Sequence, residues 1–162
     1  DSETRICLIS ELTRASGARG MVAGQAIDLA SENTQIDGSV LESMHRRKTG
    51  DLINACLIFG AILSKASPET TGMLRQFGEC LGLAFQIRDD ILDVTGDTHS
   101  IGKPVGSDLE NDKSTFVSVY GLAGAKDRLN LLLTEAESIL SPLDDKAEPL
   151  REMARFVINR TH

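Results

Sequence analysis

Apolar residues recur along this chain at the three- and four-residue spacing of amphipathic helices, whereas the alternation typical of β-strands is scarce. The spacing predicts helices over residues 3–16, 21–30, 39–64, 68–94, 115–122, 123–140 and 144–159. Polar stretches separate most of them, the longest of which covers 95–112. Ser39 and Ser67 are the predicted N-caps of the two long helices, and Pro68 suits a first helical position. The pattern therefore predicts an all-α chain.

Two local features add detail to this pattern. The first helix carries one mainly apolar stripe, made of Ile6, Ile9, Leu12 and Thr13. In the first of the long helices, Gly50 costs helix stability relative to alanine. We therefore expect a local kink at that glycine.

Composition limits the classes of function. The chain has 162 residues, 41% hydrophobic and 25% charged, which is ordinary for one globular unit spanning 1–162. Its formal net charge of −7 argues against nucleic acid or an anionic membrane surface as the main partner. The most apolar run, 55–63, is too short to span a bilayer. The three separated cysteines contain no Cys-x-x-Cys pair, predict neither a zinc site nor disulfides, and favour a cytoplasmic location.

An acidic segment lies inside an otherwise apolar predicted helix. Its aspartates are Asp89, Asp90, Asp93 and Asp97. At about 100° per residue, these aspartates and Gln86 share one helix face within an arc of roughly 100°. The opposite face is apolar and consists of Leu83, Ile87, Ile91 and Val94. A buried helix that carries so much like charge requires a cation to neutralise it.

Carboxylates at this spacing suit a hard divalent cation. Magnesium typically binds through about one or two carboxylates together with substrate phosphates. The alternative is a solvated acidic face, which an arbitrary acidic helix would more often be. Here the apolar residues that precede Gln86 and the lysines that follow the segment favour a metal site.

Three further motifs supply polar groups and cations. Gln25 and Asp28 lie three residues apart on one helix face, which also fits a simple surface pair. Lys48 ends a short basic run, and either holds an anion in a pocket or belongs to a solvated basic face. Lys103 and Lys113 lie in a glycine-containing stretch that suits phosphate oxygens or is a plain surface loop. Together with the aspartates, the three lysines predict a site in which a metal bridges carboxylate to diphosphate.

Four motifs in chain order carry a family resemblance. They are Gly24-Gln-x-x-Asp28-Leu, Lys48-Thr-Gly, Phe85-Gln-x-x-Asp-Asp-Ile-Leu-Asp93, and Gly102-Lys-x-x-Gly-x-Asp108 followed by Lys113-Ser-Thr. In sequence and order they resemble the trans-type polyprenyl diphosphate synthases, and most closely the bacterial farnesyl diphosphate synthase branch. The resemblance covers nearly the whole chain and corresponds to the C-terminal half of such an enzyme.

The resemblance implies a fold and an activity. The fold is all-α, a partial antiparallel helix bundle of the isoprenoid (terpenoid) synthase type around a deep cavity. The activity is that of a Mg²⁺-dependent prenyltransferase, with Mn²⁺ as an alternative ion. It joins isopentenyl diphosphate to dimethylallyl or geranyl diphosphate and gives farnesyl diphosphate, through ionisation, condensation and loss of a proton. The resemblance also implies a homodimer.

The resemblance assigns roles to ten residues. The metal ligands that it implies are Asp89 and Asp93, with Asp90 in support. The residues that it implies for substrate binding are Lys48, Lys103, Lys113, Gln25, Asp28 and Gln86. The catalytic residues that it implies are Lys48, Lys113, Thr49 and Gln86. The lysines would supply positive charge, and the threonine and glutamine would place oxygen dipoles near a developing cation.

One departure from the family pattern affects the expected activity. The family's first Asp-rich motif does not occur in this sequence, and Asp144-Asp145 lacks the third carboxylate. We therefore expect this polypeptide alone not to turn over, and detectable condensation by it would refute that expectation. The main alternative function is a non-catalytic interaction subunit on the same scaffold. A terpene cyclase also binds a diphosphate through metal ions, but the Lys-Thr-Gly element fits such an enzyme less well.

Overall fold

The computed structural model of the protein describes residues 1–95 and 113–161. Its helices are α1 (Ser2–Ser16), α2 (Met21–Ala30), α3 (Gly38–His45), α4 (Asp51–Ser64), α5 (Pro68–Thr95), α6 (Phe116–Ile139) and α7 (Glu148–Asn159). A π-helical turn, Arg46–Gly50, joins α3 to α4, and a 3₁₀ turn, Asp145–Ala147, precedes α7. No strand occurs in the two described ranges, which confirms the all-α prediction. The predicted loop motif 102–108, with Lys103, lies outside the described residues.

The ends of two helices follow side-chain capping rules. Asp37, not the predicted Ser39, caps α3, because its Oδ1 accepts from the backbone N–H of Ser39 at 2.8 Å and of Val40 at 3.1 Å. A carboxylate two residues upstream thus begins the helix earlier than the sequence pattern predicts. The predicted cap of α5 is confirmed, since Ser67 Oγ accepts from the N–H of Thr70 at 3.1 Å.

α6 contains a break where two separate helices are predicted. Gly121 has a φ of 72° and a ψ of 162°, a conformation that is costly for a residue with a side chain. At the start of α6, Thr115 Oγ1 accepts from the N–H of Ser118 at 3.1 Å, and Ser118 Oγ accepts from the N–H of Thr115 at 2.8 Å. This reciprocal cap sets the position of the residues just before α6, which include Lys113.

α5 is the central helix of the described chain. It packs against α4, α6, α7 and the π turn. The predicted burial of its apolar face is confirmed for Leu83, Ile87 and Ile91, which are at most 1% exposed. Val94, the last member of that face, is half-buried. Because one face of α5 is held in the core, its polar face is directed toward the π turn and the start of α6.

Two close helix contacts depend on glycine. A Cβ added at Gly82 would lie 2.5 Å from the Cα of Gly50, so α5 and the π turn meet backbone to backbone. A Cβ added at Gly24 would lie 2.3 Å from the backbone nitrogen of Lys48, so α2 also packs directly on this turn. The kink predicted at Gly50 takes the form of the π turn, which ends there. Short π-helical segments are frequent at functional sites, and this one carries Lys48 and Thr49.

Replacing glycine by alanine is expected to have opposite effects on stability at Gly82 and at Gly72 of α5, because only Gly82 lies in a close helix contact. Gly82→Ala is expected to lower the free energy of unfolding by about 2 kcal/mol, because the added methyl group must push two backbones apart. Gly72→Ala is expected to raise it by up to about 1 kcal/mol, because alanine favours a helix. At Gly72 nothing lies within 4 Å of an added Cβ. Urea unfolding measures both changes, and an equal effect of the two variants would count against the close contact.

The stripe predicted on α1 does not pack in this structure. Ile6 and Ile9 are 67% and 65% exposed. The packed side of α1 instead carries Glu11 and the buried Ala15. On that side Glu11 lies 3.3 Å from Arg75 of α5. None of the described helices is both long and apolar enough to cross a membrane.

Candidate functional site

Most of the predicted site residues line one cavity of about 600 Å³. It lies between α5, the π turn and the start of α6. The predicted residues that line it are Asp28, Lys48, Thr49, Gln86, Asp89, Asp90, Asp93 and Lys113. The apolar part of its wall is formed by Met44, Phe85 and Leu92. Folding thus brings the acidic face of α5 to lysines that are distant in sequence.

Asp28 brings two lysines together in what we call the lysine cluster, Asp28, Lys48 and Lys113. Its Oδ2 accepts from Lys48 Nζ at 2.7 Å and lies 3.6 Å from Lys113 Nζ. Lys113 is held there because the adjacent Ser114 Oγ accepts from the N–H of Ile36 at 3.2 Å. Burial raises the pKa of Asp28, but the hydrogen bond and charge of Lys48 and the charge of Lys113 outweigh it and lower the pKa. Two cations on one carboxylate leave a net positive charge, which suits an anionic ligand.

The lowered pKa of Asp28 predicts a pH-dependent contribution to stability. Asp28→Asn is expected to lower the free energy of unfolding near neutral pH, because two half-buried lysines lose their carboxylate. A carboxylate whose pKa folding lowers stabilises the protein above its ordinary pKa, here 3.8, and loses this effect as the pH falls through the folded value. The difference from wild type should therefore shrink below pH 3.8.

Urea unfolding at neutral and acidic pH measures that difference. Asp127→Asn, at an exposed position of α6, is the matched control and should change little at either pH. A difference between wild type and Asp28→Asn that stays constant over this pH range would show that the lysine cluster does not lower the pKa.

A hydrogen-bond chain, called here the amide chain, links the π turn to the acidic face. Thr49 Oγ1 donates to Gln86 Oε1 at 2.9 Å, and Gln86 Nε2 donates to Asp89 Oδ2 at 3.3 Å. The side-chain amide of Gln86 therefore directs its oxygen toward Thr49 and its nitrogen toward Asp89. Since Thr49 follows Lys48, the amide chain and the lysine cluster meet at the π turn.

Arg160, immediately after α7, reaches the same carboxylate. Its Nη2 pairs with Asp89 Oδ1 and donates to the backbone oxygen of Phe85 at 3.3 Å. Its guanidinium carbon lies 4.2 Å from the centroid of the Phe85 ring, a cation–π contact. Arg88 donates to the backbone oxygen of Arg160 from Nε at 2.8 Å and from Nη2 at 2.5 Å. Burial and the nearby charge of Arg160 lower the pKa of Arg88. Asp89 therefore already has a cation of the protein as its partner.

Asp90 also lines the cavity but is buried, 6% exposed. Its Oδ2 accepts from the N–H of Phe116 at 2.7 Å and lies 3.3 Å from His45 Nε2. The His45 ring stacks on the Phe116 ring with centroids 5.7 Å apart. These contacts tie α5 to α3 and to the first residue of α6. Asp90 therefore stabilises the packing of α5 against α3 and α6, whereas the family resemblance implies a supporting role at the metal.

The structure does not bring Gln25 to the cavity. Gln25 is exposed and does not line the cavity wall. Gly24 and Asp28, four residues apart, occupy the face of α2 that packs on the π turn. Gln25 lies about 100° around the helix from Gly24 and is turned toward solvent. Its predicted role in the cavity therefore has no support in this arrangement.

The carboxylates at the cavity fit a metal that is shared with a ligand. Within 1–95 and 113–161, no group of three or more His, Cys, Asp and Glu side chains could hold a metal ion by itself. Asp89 and Asp93 lie one helical turn apart, and both line the cavity. Magnesium commonly takes about one or two protein carboxylates and completes its shell with water and phosphate oxygens. These two aspartates therefore fit a magnesium ion whose remaining ligands come from a diphosphate.

Comparison with known proteins identifies the family. The sequence profile of the polyprenyl synthetase family matches residues 6–148. The chain belongs to the polyprenyl synthetase family. Farnesyl diphosphate synthase of Bacillus subtilis is 44% identical over 99% of this chain and 54% of that protein. The synthase of the same name from Haemophilus influenzae is 44% identical over 98% of this chain and 54% of that protein. The chain thus spans about half the length of these curated relatives.

Solved structures of polyprenyl synthetase relatives have the same fold. A geranyltransferase of Helicobacter pylori complexed with magnesium and isoprenyl diphosphate matches with a TM-score of 0.83 at 36% identity. That match covers 98% of this chain and 52% of the other. An apo FPP/GFPP synthase from Zymomonas mobilis matches with a TM-score of 0.84 at 35% identity, over 97% of this chain and 52% of the other. These matches confirm the predicted isoprenoid synthase type of helix bundle.

The sequence analysis assigns no role to two residues of this polyprenyl synthetase site. His45 belongs by sequence to a basic run, yet it is 5% exposed and faces Asp90. Arg160 lies 71 residues from Asp89 along the chain. Their positions depend on how α3 and α7 pack against α5, and the sequence pattern within either segment does not predict that packing.

A larger groove of about 940 Å³ lies along α3, the π turn and α4. The arginines that line it are Arg14, Arg19, Arg46, Arg47 and Arg75. Three of these already pair with carboxylates of the protein. None of the predicted site residues that the structure describes lines this groove. We place the functional site in the smaller cavity, because there the lysine cluster meets the acidic face.

Proposed function

We propose that this chain forms the diphosphate-binding part of a prenyltransferase. The enzyme would join isopentenyl diphosphate to dimethylallyl or geranyl diphosphate and release farnesyl diphosphate. The observation that carries the proposal is the meeting of the lysine cluster and the amide chain in one cavity beside two aspartates. The names of the similar synthases support the farnesyl product.

The positive groups of the site would act on the leaving diphosphate. Mg²⁺, with Asp89 and Asp93 as its protein ligands, would supply positive charge to the phosphate oxygens when bound. Lys48 and Lys113 add to that charge, because Asp28 neutralises only one of the two lysines. Stabilising the charge that develops on the leaving group is the main requirement for breaking an allylic carbon–oxygen bond.

The amide chain would act on the developing carbocation. Thr49 and Gln86 hold their side-chain oxygens 2.9 Å apart, so two partial negative charges are fixed at one place. Such fixed dipoles favour a developing positive charge without a cost of reorganisation. Met44, Phe85 and Leu92 give the wall an apolar part, which would reduce the access of water to the cation.

The experiment that tests the proposal is a calorimetric titration of inorganic pyrophosphate into the wild-type chain with and without magnesium. We expect binding to strengthen at least about tenfold with magnesium, or ~1.4 kcal/mol. Mn²⁺ in place of magnesium tests the alternative ion. Pyrophosphate binding that is independent of either metal would rule out the proposed site. The assay reports binding and not turnover, so it suits a chain that covers 54% of its relative.

We also infer a cytoplasmic homodimer from the family resemblance. Exposed apolar side chains on α1, such as Ile6 and Ile9, support association of two chains. Light scattering coupled to size-exclusion chromatography measures the oligomeric state, and a monomer at all concentrations would exclude the dimer.

A further inference from the structure

We propose that Arg160 is the resident counter-cation of Asp89 and couples metal binding to diphosphate binding. In this arrangement a metal ion alone binds weakly, because it must displace the arginine. Metal and diphosphate together bind tightly, because the diphosphate receives the displaced guanidinium. This inference rests on the proposed function and concerns how metal and diphosphate bind to that same site.

Both carboxylate oxygens of Asp89 are engaged. Oδ1 pairs with Arg160 Nη2, and Oδ2 accepts from Gln86 Nε2 at 3.3 Å. The amide of Gln86 is neutral, so its hydrogen bond can remain when a cation binds the other oxygen. A metal ion on Oδ1 would instead share that atom with a guanidinium, and two cations at one oxygen repel each other. Metal binding at Asp89 therefore requires Arg160 to withdraw.

Withdrawal is costly because Arg160 is anchored away from water. Its side chain is 14% exposed, compared with 42% for that of Asp89. Its backbone oxygen is held by Arg88, and its guanidinium lies over the Phe85 ring. Its Nε is buried without a hydrogen-bond partner among the described residues. A guanidinium that loses its carboxylate here is left partly desolvated and unpaired, which is unfavourable.

A diphosphate removes this cost. Arg160 lines the same cavity as Lys48 and Lys113, so an anion bound in that cavity lies near the arginine side chain. Phosphate oxygens accept paired hydrogen bonds from a guanidinium as readily as a carboxylate does. The displaced arginine therefore exchanges one anion for another. By linkage, each ligand then strengthens the other by the same factor.

The test compares Mn²⁺ affinity, measured by electron paramagnetic resonance, with and without saturating inorganic pyrophosphate. Arg160→Gln is expected to bind Mn²⁺ alone about tenfold more tightly than wild type, and the gain from pyrophosphate should shrink by about the same factor. Arg160→Lys retains the charge and should keep most of the wild-type coupling. Arg155→Gln is the matched control, since Arg155 pairs with Glu137 and Glu148 and does not line the cavity.

The outcomes separate this inference from the proposed function. Equal Mn²⁺ affinities of wild type and Arg160→Gln under both conditions overturn the inference. A variant that binds Mn²⁺ alone no better, but loses pyrophosphate, makes Arg160 a plain anion ligand and also overturns it. Failure of the proposed function instead appears as no effect of pyrophosphate on Mn²⁺ binding in any of the proteins. Circular dichroism checks folding, and Arg160→Met, which keeps a long side chain on Phe85, replaces the glutamine variant if that one unfolds.

Discussion

Asp89→Ala is expected to abolish the magnesium-dependent part of pyrophosphate binding. Metal affinity should fall at least about 100-fold, since changing even a residue that only supports a metal ligand typically costs about 10- to 100-fold. The same substitution removes the partner of Arg160. Because that guanidinium is then available to an anion, pyrophosphate binding without metal is expected to become tighter than in wild type. The two effects have opposite signs in a single variant.

Calorimetry with and without magnesium measures both effects of Asp89→Ala. Asp127→Ala is the matched control, because it removes an equal charge from an exposed position of α6 outside the cavity. It should bind pyrophosphate as wild type does under both conditions. If Asp89→Ala loses pyrophosphate binding with and without metal, the carboxylate and the lysine cluster are not separate parts of the site.

Asp90→Ala is expected to have the largest effect on stability, a loss of about 3 kcal/mol in the free energy of unfolding. Removal of the carboxylate leaves the N–H of Phe116 and Nε2 of His45 without their acceptor in a buried place. Asp90→Asn retains a side-chain oxygen that can accept from Phe116, so its loss should be clearly smaller. Unfolding in urea distinguishes the two variants, and Asp127→Ala should remain within about 0.5 kcal/mol of wild type.

The same variants test the role of Asp90 at the metal. Asp90→Asn is expected to keep magnesium-dependent pyrophosphate binding, because the contacts of Asp90 are with α3 and α6. A loss of metal affinity as large as that of Asp89→Ala, in a variant that remains folded, would return Asp90 to the set of metal ligands.

Neighbouring aspartates thus have different surroundings that their spacing cannot distinguish. Asp89 and Asp90 are adjacent and both fall on the polar face of the predicted helix, within the same arc of roughly 100°. Asp89 remains partly exposed at the cavity, whereas Asp90 is buried against the start of α6. The distinction comes from which helices pack on each side of α5, and those helices are distant in sequence.

The N-cap of α3 and the apolar stripe of α1 are two features of the fold that the local sequence pattern does not predict correctly. Both Asp37 and Ser39 are residue types that cap helices, and only the backbone geometry shows that Asp37 accepts both N–H groups. Ile6 and Ile9 form the apolar stripe that a packed helix would carry, yet the side of α1 that packs is the one with Glu11 and Ala15. Local pattern predicts that a helix exists and leaves open which side it buries.

The sequence by itself determined the helices, the acidic face of α5 and the family, because helical periodicity and motif order are properties of neighbouring residues. It also predicted most of the residues that line the cavity, since those residues belong to the family motifs. Only the tertiary structure decided that Asp28 joins two lysines, that Asp90 holds the start of α6, and that Arg160 neutralises Asp89. Each of these is a contact between distant segments, and its free energy depends on burial and distance, which arise only when the helices pack.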